Sequence, residues 1–265
     1  MWFEFYREMA PWMSNRLTIT HTAKLPLKNL LPADSFRTIN GDPLTSFEVA
    51  FRIRFAYLER FLESHFYRSS LGSPYPIGEI NISHGFPGVL KSSYSYTKIF
   101  ASVSDDVKIP PLGSLSWMVY GGRTFGTLPY TFLDINPGNE LYYHNKYAFN
   151  MMNRWEFVHD KYAGVNLEYN IGNGIFRWFP KFRFRQFWTA KALWGSLSDA
   201  NKAFNFKQGH NFQSLDGKTY LELGIGIDNI LHVFRIDFVW RVLPPTLPKE
   251  GDKAFGIFGS FRLGF

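Results

Sequence analysis

The chain contains no cysteine, which removes disulfides, thiol catalysis and thiolate metal sites in one step and leaves the compartment open. It is short of charge: Asp, Glu, Lys and Arg make up 19% of the residues, below the roughly 25% of soluble domains. It lacks any window near the ~18 consecutive apolar residues of a membrane helix, so a helical membrane protein is not expected. The first residues, Met1-Trp2-Phe3-Glu4-Phe5-Tyr6-Arg7-Glu8, have neither the basic start nor the apolar stretch and cleavage site of an export signal. No Pro/Gly/Ser-rich linker divides the 265 residues, and no solenoid or propeller period recurs, so one unit spanning residues 1–265 is expected. The net charge of +7 is modest and its cations are scattered, so nucleic acid is not an expected partner.

What the chain has instead is aromatic residues, 28 Phe, 14 Tyr and 8 Trp, set in runs of period two. Phe47, Val49, Phe51, Ile53, Phe55 and Tyr57 alternate with Glu48, Ala50, Arg52, Arg54 and Ala56. Phe234, Ile236, Phe238, Trp240 and Val242 alternate with Val233, Arg235, Asp237, Val239 and Arg241. The terminal run, Ala254 to Phe265, puts Phe255, Ile257, Gly259, Phe261, Leu263 and Phe265 on one side. Period two is a strand signature. Such runs exceed the ~5–6 residues usual in soluble sheets and suit the roughly 9–11 of a transmembrane strand. An apolar-aromatic face opposite a charged one fits a wall between lipid and a polar lumen. The mean hydropathy of -0.18 is ordinary because a barrel interleaves its polar and apolar residues. The expected fold class is all-β: an antiparallel transmembrane β-barrel, or the C-terminal roughly 10–12 strands of a larger one of about 16.

Read in order, Leu25 to Pro43, Ser69 to Pro76 and Ser196 to Lys218 carry the breakers of loops. Tyr147 to Val158 and Gly164 to Ile171 are expected as strands flanking a tight hairpin at His159-Asp160-Lys161-Tyr162. Counting back from a periplasmic C-terminus puts Ser196 to Lys218 and Leu243 to Asp252 outside, and Thr127 to Lys146 inside. For so long a segment that placement requires either a missed strand or a fold into the lumen.

The runs Phe125-Gly126-Thr127-Leu128-Pro129-Tyr130, Pro137-Gly138-Asn139-Glu140, Tyr147 through Phe157, Asp160-Lys161-Tyr162-Ala163-Gly164, Ala190 through Asn201 and Glu222 through Ile230 resemble the C-terminal region of the DUF5686 proteins of Bacteroidetes. That resemblance covers most of the chain after about Leu71. It implies a secreted precursor, with a carboxypeptidase-regulatory-like β-sandwich ahead of an outer-membrane barrel in a Gram-negative bacterium, and this chain as an N-terminally truncated piece of it. The family's biochemical role is undefined. Gly224-Ile225-Gly226-Ile227, Phe234-Arg235-Ile236-Asp237-Phe238 and the terminal Gly-Phe strand are similar, at the level of pattern, to the last three strands of Omp85 barrels, which insert or translocate other proteins. The Arg-Gly-Phe/Tyr triplet of that superfamily is missing; Arg123-Thr124-Phe125-Gly126 is not equivalent to it.

Arg235, Asp237 and Arg241 share a strand face, with Glu222 and Asp228 on the inferred neighbour and Arg52 and Arg54 in the earlier run. They are expected to face the lumen, either selecting a substrate or, as the simpler reading, filling a narrow barrel with ion pairs. Ser83 and His84, as strand neighbours, point to opposite faces and cannot form a catalytic pair. No set of acid, base and nucleophile stands out, so no enzyme is expected. Asp105-Asp106 and Glu156-His159-Asp160 are too sparse for a metal site, and no cofactor is expected. The many Trp and Tyr residues suit headgroup-level girdles. The expected partners are outer-membrane lipid, periplasmic or lipoprotein partners, and the barrel-assembly machinery. The last of these would bind Phe261, Leu263 and Phe265 as an assembly signal by strand addition. The expected function is an Omp85-like outer-membrane barrel that handles protein or lipid; the alternatives are a solute channel or receptor, then a hydrolase or a soluble β-sandwich.

Overall fold

The computed structural model describes residues 1–24, 43–63, 68–174, 176, 183–205, 213–245 and 253–261. The strands are β1 (Trp2–Ala10), β2 (Met13–Lys24), β3 (Leu44–Ala56), β4 (Arg60–Glu63), β5 (Arg68–Gly72), β6 (Ile77–Gly85), β7 (Tyr96–Ile109), β8 (Gly113–Phe125), β9 (Asp134–Ile135) and β10 (Val158–His159). They continue with β11 (Lys161–Gly172), β12 (Arg185–Ser196), β13 (Thr219–Ile230), β14 (Phe234–Leu243) and β15 (Phe255–Phe261). One short helix, α1 (Asp199–Asn205), lies between β12 and β13. Eleven strands form a single antiparallel sheet in the order β1-β2-β3-β6-β7-β8-β11-β12-β13-β14-β15. Two small hairpin-like pairs, β4–β5 and β9–β10, stand apart from it. The long strands thus lie in one sheet, and the two facing sheets of a sandwich are absent among the described residues.

The alternation of the sequence becomes a two-faced wall because successive side chains leave a strand on opposite sides. On β14, Phe234, Ile236 and Trp240 are 38%, 37% and 41% exposed, whereas Arg235, Asp237 and Arg241 are 4%, 1% and 6% exposed. Ile225 of β13 sits opposite Phe238, and Gly226 opposite Asp237, so the register keeps like faces together across the pair. The apolar face carries Val119, Leu167, Trp188, Leu223 and Ile257 as exposed side chains. The charged face is here called the inner face.

Two expectations are corrected. Residues 147–158 are not a membrane strand but a series of tight turns with Phe149, Met152 and Phe157 buried. Side chains compete there for the backbone that a ladder would need: Asn145 Oδ1 accepts from Tyr147 N at 2.9 Å and Glu156 Oε2 from Asn153 N at 2.8 Å. Residues 159–162 are accordingly no hairpin; His159 belongs to β10 and Lys161 opens β11. The second correction is smaller. Ser69 to Gly72, the start of an expected loop, belongs to β5 and pairs with β4, because the breakers begin only at Gly72, with φ of 89°.

Losing one expected strand reverses the parity of everything before it. Residues 126–160 join the neighbouring strands β8 and β11 at the same end of the sheet as 197–218. The two segments meet there: Val158 N donates to Gln213 O at 2.9 Å, Gln213 N to Glu156 O at 2.7 Å, and Leu128 N to Asn201 Oδ1 at 2.9 Å. The long segment therefore hides no membrane strand, and it packs on the inner face. Leu44, Tyr96, Leu128, Phe132, Val158 and Leu197 form one buried cluster at the strand ends. Phe149, Met152, Phe157, Leu193, Leu215 and Tyr220 form a second, which seats the segment against β12 and β13. The expected loop at Leu25 to Pro43 lies almost wholly outside the described residues.

Candidate functional site

The charged inner face of β11 to β14 and the segment 126–160 that covers it make up the most organised polar assembly of the molecule. Glu168 of β11, Lys191 of β12, Glu222 of β13 and Arg235, Asp237 and Arg241 of β14 are all buried. Burying an unpaired charge costs several kcal/mol, so each is matched. Arg235 binds Asp237 through Nε and Nη2 at 2.8 Å and Glu168 through Nη2 at 2.9 Å. Its guanidinium also lies 4.2 Å from the Phe187 ring centroid, a cation–π contact.

The remaining charges of the wall bind the covering segment. Arg241 Nη1 donates to Glu156 Oε1 at 2.6 Å and its Nε to Pro244 O at 3.2 Å. Glu222 accepts the backbone N–H groups of Asn150 and Met151, each at 3.1 Å. Lys191 donates to the carbonyls of Asn145 and Ala148 and lies 3.7 Å from Glu222. A turn-rich segment has backbone groups with no ladder to join, and the wall's charges satisfy them where water is excluded. At the strand ends Asn201 and Asn205 of α1 do the same for Leu128 and Tyr130.

Among the residues singled out from the sequence, Glu222, Arg235, Asp237 and Arg241 are brought together here. Asp228 is buried further along β13 and pairs with Arg185 at 2.9 Å. Arg52 and Arg54 lie on β3, separated from β11 by β6, β7 and β8. They bind Glu79 and Glu59 respectively, Arg54 in a two-pronged contact at 2.5 and 2.7 Å. Phe261 is exposed and packs at a tilt against Phe234, ring centroids 4.9 Å apart; Leu263 and Phe265 lie outside the described residues. Sequence reasoning weighed Glu156 only as a metal ligand and missed Asn150, Glu168 and Lys191. The last two were legible, since they alternate with outward residues of their strands as Arg235 does. Asn150 and Glu156 carry no signal in a segment without period.

His159 sits beneath this assembly, fully buried, with neither ring nitrogen hydrogen-bonded among the described residues. Gly195 makes room for it: a Cβ there would fall 2.2 Å from His159 Nδ1. Burial pushes the His159 imidazole down to about 4, with the Asp160 carboxylate opposing the shift. No group of His, Asp and Glu among the described residues is arranged to hold a metal ion.

A single long-stranded antiparallel sheet, apolar on one face, charged on the other and covered there by its own segment, has the build of a β-barrel wall. The fold is that of part of BamA: the crystal structure of BamA from Haemophilus ducreyi lacking POTRA domains 1–3 superimposes with a TM-score of 0.61 at 12% identity. The match covers 98% of this chain and 53% of that one, so the chain spans about half the length of its structural relative. By sequence, residues 22–227 match the family described as "Family of unknown function (DUF5686) C-terminal domain", and the chain belongs to that family. No curated protein matches it.

Proposed function

We propose that the chain forms the C-terminal part of an integral outer-membrane β-barrel of a Gram-negative bacterium, Omp85-like in build, that handles protein or lipid at the membrane. The observation that carries this reading is the two-faced wall. Its outer face exposes Val119, Leu167, Trp188, Leu223 and Ile257, suited to lipid, while its buried charges all point inward. No helix among the described residues is long and apolar enough to cross a membrane; a barrel crosses with strands. The end bearing 126–160 and 197–218 is then the outside, since extracellular loops are the longer ones. The BamA likeness supports the fold, and the protein- or lipid-handling role, exercised with a periplasmic or lipoprotein partner, is our reading from that fold alone. We read the inner charges as structural and non-catalytic.

Fractionation tests the location. The full-length protein is expected in the outer membrane, extractable with detergent but not with carbonate or high salt, and to migrate faster unboiled than boiled. Release by carbonate would sink the reading. A solute channel is the second reading. A cavity of about 730 Å³ lined by Asp106, Lys108, Ser116, Asn166 and Glu168 lies on the inner side, next to the residues that cover β12. Single-channel currents from the intact protein would favour it over the handling role.

A further inference from the structure

The outer face of the sheet is almost free of charge, and its exceptions are not scattered. Register fixes which strand positions face outward. In the eleven-stranded sheet those that carry a cation are Arg7, Arg123 and Lys161, and Asp105 is the acid among them. Arg7 and Asp105 lie toward the end where short turns join β1 to β2 and β7 to β8. Arg123 and Lys161 lie at the opposite end, where residues 126–160 leave β8 and enter β11. There they face each other across the pair. Thr124 N donates to Asp160 O at 2.7 Å, which makes that position a hydrogen-bonded one. Arg123 and Lys161 are therefore a non-hydrogen-bonded pair, the kind whose Cα atoms lie about 4.5 Å apart and whose side chains come closest.

Like charges in that relation repel, and the protein does not relieve them. Among the described residues neither Arg123 nor Lys161 forms an ion pair or a side-chain hydrogen bond. Asp160, next to Lys161 in sequence, is buried on the inner side, where its Oδ2 accepts from Ser198 N at 2.9 Å and Asn201 Nδ2 at 3.0 Å. The Arg123 guanidinium lies 4.5 Å from the Phe125 ring centroid, a contact that holds it in place without cancelling its charge. On the far side of Lys161 the row continues to Ser196 of β12. Along the same three strands Val119, Leu167 and Trp194 are outward and exposed. A lone cation at a membrane boundary can snorkel into water; two abreast gain from an anion held between them.

We propose that Arg123 and Lys161, with Ser196 beside them, bind the phosphate monoester of an outer-leaflet glycolipid whose acyl chains lie along the apolar wall. A phosphate monoester carries about −1.5 to −2 near neutral pH, which matches two cations; a phosphodiester carries less. The planar Arg123 fork can take two phosphate oxygens and Lys161 a third as a point charge. Free phosphate would make no use of the apolar surface. The inference rests on the reading of this sheet as an outer-membrane wall with the covered end outside.

The full-length protein in non-ionic detergent is titrated with diphosphorylated lipid A and the bound fraction read by native mass spectrometry. Arg123→Gln with Lys161→Gln should bind at least about tenfold more weakly than wild type, the scale of lost charge-assisted hydrogen bonds. Lys161→Arg should keep the affinity, and so should Arg7→Gln at the other end. Dephosphorylated lipid A and phosphatidylglycerol should each bind wild type as weakly as lipid A binds the double variant, and inorganic phosphate in large excess should not displace lipid A. Both cations are on the surface, so the double variant should keep the heat-modifiable mobility of wild type. Equal binding by wild type and double variant, equal affinity for phosphatidylglycerol, or displacement by inorganic phosphate would each overturn the proposal. Release of the protein by carbonate would sink the membrane reading itself, whereas equal binding in a protein that fractionates with the outer membrane removes only this site.

Discussion

Arg241 and Glu156 illustrate what a charge does on the inner wall. The pair is almost fully buried, at 2.6 Å, and joins a strand to the segment that covers it. Removing one member leaves the other desolvated and alone, which costs about 3–5 kcal/mol. Glu156→Ala is therefore expected to lower the unfolding free energy by that amount in detergent denaturation, while Glu156→Leu with Arg241→Met should recover most of it. Equal losses in the single and double variants would show that the pair is not coupled. His159 adds a pH dependence. Its folded value, about 4, lies below the ordinary ~6.5 of an unfolded histidine, so the unfolded or undocked segment binds the proton first. The stabilisation from keeping it neutral is complete above about pH 6.5 and is lost as the pH falls toward 4, by up to about 3 kcal/mol. Hydrogen exchange across residues 128–158 should accelerate over that window in wild type and stay flat in His159→Leu; a flat wild-type profile would sink the idea.

Among the elements, β14 and β15 carry the clearest expectations. Phe238 lies in the outer row, stacked at 6.4 Å and 7° on Phe255, with Asp237 and Val239 turned inward. Phe238→Arg should cost on the order of 2–4 kcal/mol near the bilayer midplane, measured by folding into lipid vesicles, whereas Val242→Arg nearer the strand end should cost much less. Similar penalties at both positions would argue against a lipid-facing row. For the terminal strand, the proposed signal of Phe261, Leu263 and Phe265 separates recognition from packing. Deleting Phe265 removes at most one buried side chain, roughly 1.5–3 kcal/mol. Recognition by the assembly machinery predicts a much larger fall in outer-membrane level, with refolding into detergent largely intact. Normal surface levels would leave only the packing role.

At the scale of the whole molecule, one segment decides whether the wall encloses a passage. Residues 126–160 fill the inner face of β12 to β14 with one apolar cluster and a set of charged anchors, and a second cluster seats them at the strand ends. The intact barrel is expected to be electrically silent in planar bilayers, and replacing residues 137–152 by a short Gly/Ser linker should open steady conductance. Silence in both would mean that the lumen is blocked by other parts of the chain.

Period two in the sequence determined the strands and their faces. Arg235 and Asp237 alternate with Phe234 and Ile236, and a side chain's direction along a strand follows from the backbone alone. At the other end of the chain β1 pairs with β2 from Trp2 to Ala10. The sequence could not settle residues 126–160. Tyr147 to Val158 has enough aromatic residues to imitate a strand, and only tertiary contact shows that Asn145, Asn150 and Glu156 spend their side chains on the backbone instead of alternating across a sheet. That single difference changes the strand count, moves the segment to the other end of the barrel, and brings Glu156 to Arg241 and Tyr143 to Gly259. Local alternation is a property of neighbours in sequence; which distant backbone a turn satisfies is a property of the space that the folded wall leaves beside it.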